Sequence, residues 1–186
     1  MKKLFLSLED SQDNRLLKSC IARLDRFELT GPDADAFTVI VNGPLTELSE
    51  LLMRNCRLKD HIEMILLVGG SDRYGDVTMV AEKNIYADPK AAQHVMLAGI
   101  PIIWFALNTT RDLENRALSP LIYLLRPEIF VTEECGVYVE TVSSKALGQT
   151  VTDIYSDKQF PDHFARLVLS IDQSEYQKTV QSLLNQ

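Results

Sequence analysis

Apolar residues along this chain follow two rhythms. Nearly unbroken apolar runs occur in "KKLFLSL" (2–8), "AFTVIVNGP" (36–44), "EMILLVGG" (63–70) and "IPIIWFAL" (100–107). Such runs predict strands covered on both faces, as in a parallel sheet. Between them apolar positions recur every three or four residues. Leu16, Leu17, Cys20, Ile21, Leu24 and Phe27 predict a helix across 11–27. "LTELSELLMRN" predicts a second, with Pro44 in its first turn, and "DPKAAQHVMLAG" a third, opened by Asp88-Pro89 and closed by Gly99. A further helical stretch is expected from about Arg111 to Leu125. In the last third, "CGVYVETV", "GQTVTDIY" and "HFARLVLSI" alternate between turns and predict antiparallel strands. "SEYQKTVQSLLNQ" predicts a closing helix capped by Ser174. The expected fold class is α/β: one domain over residues 1–186, a mainly parallel sheet with helices on both faces, and a C-terminal antiparallel extension.

Composition narrows the function classes. At 186 residues and 46% hydrophobic, the chain can bury a full core. The net charge of −7, with no block of Lys or Arg, disfavours nucleic acid and anionic membrane as partners, because neither would meet a positive surface. Cys20, Cys56 and Cys135 have no CxxC spacing and read as reduced, mostly buried thiols. His61, His94 and His163 are isolated, so a zinc site is not expected. "MKKLFLSLED" lacks the apolar length and cleavage site of a signal peptide, and no run approaches the roughly 18 apolar residues of a membrane span. A cytoplasmic location is expected.

In parallel sheets ligands bind beyond the carboxyl ends of the strands. Here those ends carry Ser7 to Asp13, Asn42-Gly43, the loop from Gly69 to Asn84, and Asn108. The stretch "GGSDRYGDVTMVAEKNIYADP" (69–89) reads as a cradle for a polyhydroxylated ligand: carboxylates and amide oxygens accept from sugar hydroxyls, and an amide donates back. Each residue also has a structural alternative. Glu9, Asp10 and Asp13 suit the first turn of a helix, where its dipole favours acids. Glu82 and Asn84 could cap and stitch their loop, and Asn42 could form a turn. Trp104 and Phe105 fit core packing, and His94 and His163 fit structural or solvated roles.

Several segments carry a resemblance. "TVIVNGPLTEL", "ILLVGGSDRYGDVTMVAEKNIYADPKAA", "GIPIIWFALNTT" and "VETVSSKALGQTVTD" follow, in order, the signature segments of the inosine-uridine-preferring nucleoside hydrolases. The chain resembles that family over nearly its whole length, with large pieces missing between the parts. The resemblance implies a ribose or nucleoside ligand and self-association into an oligomer. It also implies a calcium ion held by aspartates that activates a water against the ribose anomeric carbon. The family's amino-terminal motif is D-x-D-P-G-x-D-D, whereas this chain has "SLEDSQDN". Ser7 replaces the first Asp, Glu9 the second and candidate base, and Asn14 the fourth, a metal ligand; Asp13 keeps the third, a ribose contact. Glu82 and Asn84 match ribose-binding residues, and Asp76 stands where the family has Asn. "LSP" (118–120) stands where a His-Asp-Pro would supply a leaving-group acid and another ligand, and no His or acid occurs between Asn115 and Pro127.

Calcium takes 6–8 oxygens and binds more tightly as carboxylates accumulate. Glu9, Asn14 and the Asn42 carbonyl form only a remnant of such a cage, with one acid. The expectation is therefore a ribose or nucleoside binder without calcium that has lost the family's hydrolysis. The competing expectation is an active purine or pyrimidine ribonucleoside hydrolase with a weakened calcium site, and a third is a structural subunit without ligand.

Overall fold

The computed structural model describes residues 1–154 and 164–185. Eight strands form one sheet: β1 (Lys2–Leu8), β2 (Phe27–Leu29), β3 (Phe37–Asn42), β4 (Ile62–Val68), β5 (Ile102–Phe105), β6 (Phe130–Val139), β7 (Thr150–Asp153) and β8 (Phe164–Ile171). Their spatial order is β2-β1-β3-β4-β5-β8-β6-β7. The pairs from β2 through β8 are all parallel, and β6 runs antiparallel to both β8 and β7. This is the expected α/β architecture with its antiparallel C-terminal part. Only β6 actually reverses direction, because β8 adds in parallel to β5.

The unbroken apolar runs are explained by the layers. On one face Val39, Val41, Ile65, Leu67, Ile102 and Trp104 pack under α2 (Thr46–Arg54) and α4 (Pro89–Met96). On the other, Leu4, Ile40, Leu66, Val68, Ile103 and Phe105 pack under α1 (Gln12–Ala22), α6 (Ser119–Leu125) and α7 (Gln173–Leu184). Alternate residues of one strand thus feed two cores, and neither face of the central strands meets water.

Several boundaries differ from the sequence expectation. The first helix ends at Ala22 rather than continuing to Phe27. Phe27 instead pairs with Lys2 as the start of β2, and burial of an apolar residue is the same from either backbone state. Pro44 lies before α2, whose N-cap is Leu45. The stretch after β5 is not one helix: α5 (Leu107–Thr110) is separated from α6 by a left-handed Asn115 (φ 53°) and a 3₁₀ turn at Arg116–Leu118. Asp172, not Ser174, caps α7, its Oδ1 accepting from the Glu175 amide at 3.1 Å. A short helix the sequence reading missed, α3 (Lys83–Ala87), follows the cradle loop. Cys20 and Cys135 are buried as expected, but Cys56 is exposed. His163 lies outside the described residues.

β1 connects to β2 on one side and β3 connects to β4 on the other, so the chain leaves the paired carboxyl ends of β1 and β3 in opposite directions. Connections that part in this way leave a crevice beyond the strand ends, and the candidate residues gather there.

Candidate binding pocket

Glu9, Ser11, Asp13, Asn42, Asp76, Glu82, Lys83, Asn84 and Arg116 line one cavity of about 330 Å³. Six of the seven residues singled out from sequence are in this lining. The seventh, Asn14, is buried and hydrogen-bonded to Glu9 and Asn42 of that lining.

The floor is built at the paired carboxyl ends of β1 and β3. Ser11 caps α1 by accepting from the Asn14 amide at 3.2 Å. This presents the Asn14 side chain to Asn42 at the end of β3. Asn14 Nδ2 donates to the Glu9 and Asn42 carbonyls, both at 2.9 Å, and Asn42 Nδ2 donates to Asn14 Oδ1 at 2.8 Å. The Asn42 carbonyl also accepts from the Glu9 amide at 3.2 Å, which uses both of its lone pairs. Gly43 permits this contact, since a Cβ there would come within 2.7 Å of the Glu9 nitrogen.

The Glu9 carboxylate turns the other way and meets Lys83, Nζ to Oε1 at 2.8 Å. Glu9 and Asp10 precede the helix cap, so of the three acids only Asp13 is a first-turn residue of α1. Asp10 pairs outward with Arg15. The Ser7 hydroxyl points to Glu47 at 3.5 Å and takes no part in the pocket lining.

The wall comes from the cradle loop. It closes on itself, with the amides of Asp76, Val77 and Thr78 all directed at the Ala81 carbonyl. Gly70, at φ +68°, lies so close to Trp104 and Thr150 that a Cβ would be 3.0 Å from the indole. The Thr150 hydroxyl bonds the backbone of Ser71, and Asn108 Oδ1 accepts from the amides of Arg73 and Tyr74. Asn108 therefore braces the loop. Trp104 and Phe105 are fully buried in the core, as the sequence suggested.

Glu82 and Asn84 do the stitching that the sequence left open. Glu82 Oε2 accepts from the amides of Gly70 (2.7 Å), Asn84 (2.9 Å) and Ile85 (3.4 Å), capping α3. Asp76 Oδ1 accepts from the Lys83 amide at 2.8 Å. Asn84 Nδ2 donates to the Val68 carbonyl, leaving Oδ1 as the acceptor of that side chain. Glu82 nevertheless lines the cavity, with Oε1 3.7 Å from the Arg116 guanidinium. Burial pushes the Glu82 carboxyl above its ordinary range; the Gly70 amide opposes this and the Asp76 charge adds to it.

Lys83 and Arg116 were absent from the sequence candidates. Lys83 lies between Glu82 and Asn84 in "AEKNIY", and that position beside two candidates was its visible trace. Arg116 had no trace. It enters the pocket through the left-handed Asn115, whose carbonyl accepts from the Tyr176 hydroxyl at 3.1 Å.

The donors do not suit a calcium cage. Asn14 Oδ1 and the Asn42 carbonyl are committed to the amide pair, and the Glu9 carboxylate to an ammonium. No group of three or more His, Cys, Asp or Glu among the described residues is arranged to hold a metal. The arrangement can still present hydroxyl acceptors in Asp13, Asp76, Glu82 and Asn84, with ammonium and guanidinium donors beside them.

Fold and pocket together define an α/β protein with a polar crevice at its strand switch point. The model of the inosine-uridine preferring nucleoside hydrolases matches residues 12–120, and the chain belongs to that family. It is 32% identical over 160 residues to a pyrimidine-specific ribonucleoside hydrolase of Shewanella oneidensis, covering 63% of this chain and 50% of that protein. It is 27% identical over 207 residues to a non-specific ribonucleoside hydrolase of Salmonella schwarzengrund, covering 92% and 67%. The chain spans about half the length of the first of these relatives. The Bacillus anthracis inosine-uridine preferring nucleoside hydrolase structure superposes with a TM-score of 0.83, covering 98% of this chain and 99% of that one at 14% identity. A plant nucleoside hydrolase gives 0.72 over 92% and 66%, at 15% identity. These two likenesses concern the fold. No helix among the described residues is long and apolar enough to cross a membrane.

Proposed function

We propose that this chain is a nucleoside hydrolase-family protein that binds ribose or a ribonucleoside without calcium and has lost the family's N-ribosidic hydrolysis. The observation that carries this reading is the commitment of Asn14, Asn42 and Glu9 to one another and to Lys83. A divalent ion would have to break those bonds to reach the Glu9 carboxylate and the Asn14 and Asn42 oxygens. Without an ion, nothing in the pocket brings the pKa of a bound water near neutrality. Departure of the base also needs a proton donor, and the segment entering the pocket at Arg116 brings a permanent cation instead. Asp13, Asp76, Glu82 and Asn84 support hydroxyl binding, since all four line the cavity and carry side-chain oxygens that accept hydrogen bonds. Self-association is part of the same proposal.

Differential scanning with D-ribose or inosine tests the binding half: a ligand of the folded state raises the melting temperature by mass action. Asp13→Ala should abolish the rise. Glu82→Ala is a poor control, because Glu82 Oε2 satisfies three backbone amides. No rise with either ligand would refute the binder.

A second reading, an active ribonucleoside hydrolase, is favoured by the 32% identity to a protein of that activity and by Glu9 and Asp13 lining one cavity. It expects release of base from inosine or uridine, stopped by chelator and by Glu9→Ala.

A further inference from the structure

Two chain segments far apart in sequence meet to form the Lys83–Glu9 pair: Glu9 directly follows β1, and Lys83 opens α3 beyond the cradle loop. The side chains are 57% and 29% exposed, so the pair adds little to stability. What matters is where it puts its charge. The Asn14–Asn42 amides close off the neutral oxygens, but being uncharged they do not repel an ion. Lys83 does so directly, since a divalent ion approaching Glu9 meets a like charge at contact distance and must displace it from that carboxylate. Arg116 near Glu82 repeats the arrangement on the other side of the cavity. Each of these two carboxylates thus already has a cation supplied by the chain.

We propose that the Lys83 ammonium is the resident cation of the pocket: it occupies Glu9, excludes divalent ions by charge, and leaves the pocket to a neutral polyol bound without metal. The last clause rests on the binding reading above, whereas the exclusion of ions can be measured without any sugar.

The test titrates calcium chloride, and terbium chloride followed by its luminescence, into the wild type, Lys83→Arg and Lys83→Met at low ionic strength. The Lys83 side chain is exposed, and its backbone bond to Asp76 survives substitution, so melting curves should show all three folded. Removing the charge should tighten calcium binding by at least ~10-fold in Lys83→Met, while Lys83→Arg stays at the wild-type level. Equal affinity in wild type and Lys83→Met, including binding by neither, overturns the proposal. So does an equal gain in Lys83→Arg, which would assign the effect to side-chain shape. In a parallel arm with EDTA, D-ribose should still raise the wild-type melting temperature; a rise that EDTA abolishes overturns the metal-free clause. If ribose binds no variant while the calcium order holds, the binding reading falls and the role of Lys83 stands.

Discussion

Replacing Asn14 by Ala strikes the point where α1, β1 and β3 are tied together. The Asn14 amide makes three side-chain hydrogen bonds while essentially inaccessible, two of them with Asn42 in buried surroundings. Ala leaves Asn42 Nδ2 without its partner, and the Asn42 and Glu9 carbonyls each lose a donor. A buried group left unsatisfied costs about 1–3 kcal/mol. The Asn42 carbonyl keeps its bond from the Glu9 amide and the Glu9 carbonyl is only partly buried, so the sum lies near the lower end, about 3–4 kcal/mol. For a chain of this size that corresponds to roughly 6–16 °C in Tm. Urea unfolding followed by circular dichroism would measure it, with an unchanged m-value showing that the unfolded state is not the cause. A loss below about 1 kcal/mol would refute the amide network, and with it the claim that these oxygens are unavailable to an ion.

Three further outcomes are expected. Glu82 has a raised folded pKa, so the native state binds the extra proton and wild-type stability falls as pH rises from about 4.5 through the folded pKa. Relative to wild type, Glu82→Gln should gain stability across that window and hold a constant advantage above it; a pH-independent difference in chemical melts would contradict the raised pKa. Tyr176→Phe removes the hydroxyl that holds the Asn115 carbonyl and Ser119 Oγ, and should cost about 1–2 kcal/mol in the same melts; no measurable loss would show that the left-handed turn holds itself. Of the three thiols, Cys56 should react with a disulfide reagent in the native state while Cys20 and Cys135 stay protected, Cys135 also because burial pushes its pKa up to about 11. Equal rates for all three would contradict the packing.

The sequence carried the layers because hydrophobic period is a local signal. Runs such as "TVIV" and "ILLV" alternate between two buried faces, and that need for apolar residues on both sides is visible residue by residue. It also carried Asp88 as a helix opener, since an Asx cap acts within three residues of itself. Boundaries such as Ala22 and Asn115 were hidden. There the same apolar spacing serves a helix, a turn or an edge strand, and long-range pairing decides among them.

Within the pocket the division is the same. By itself the sequence determined that Glu9, Asp13, Asn42, Asp76, Glu82 and Asn84 sit at strand ends or on the cradle loop, and that carboxylates of a metal motif are missing. Only the tertiary structure decided what the remaining atoms do. Asn14 reaches across 28 positions to Asn42, Lys83 reaches Glu9 across 74, and Arg116 arrives through a turn held by a tyrosine of the last helix. Composition shows which charges a chain owns. Whether a carboxylate faces a metal, a sugar or an ammonium depends on distances of a few ångströms between residues far apart in the chain, and those are set by how the strands are ordered in the sheet.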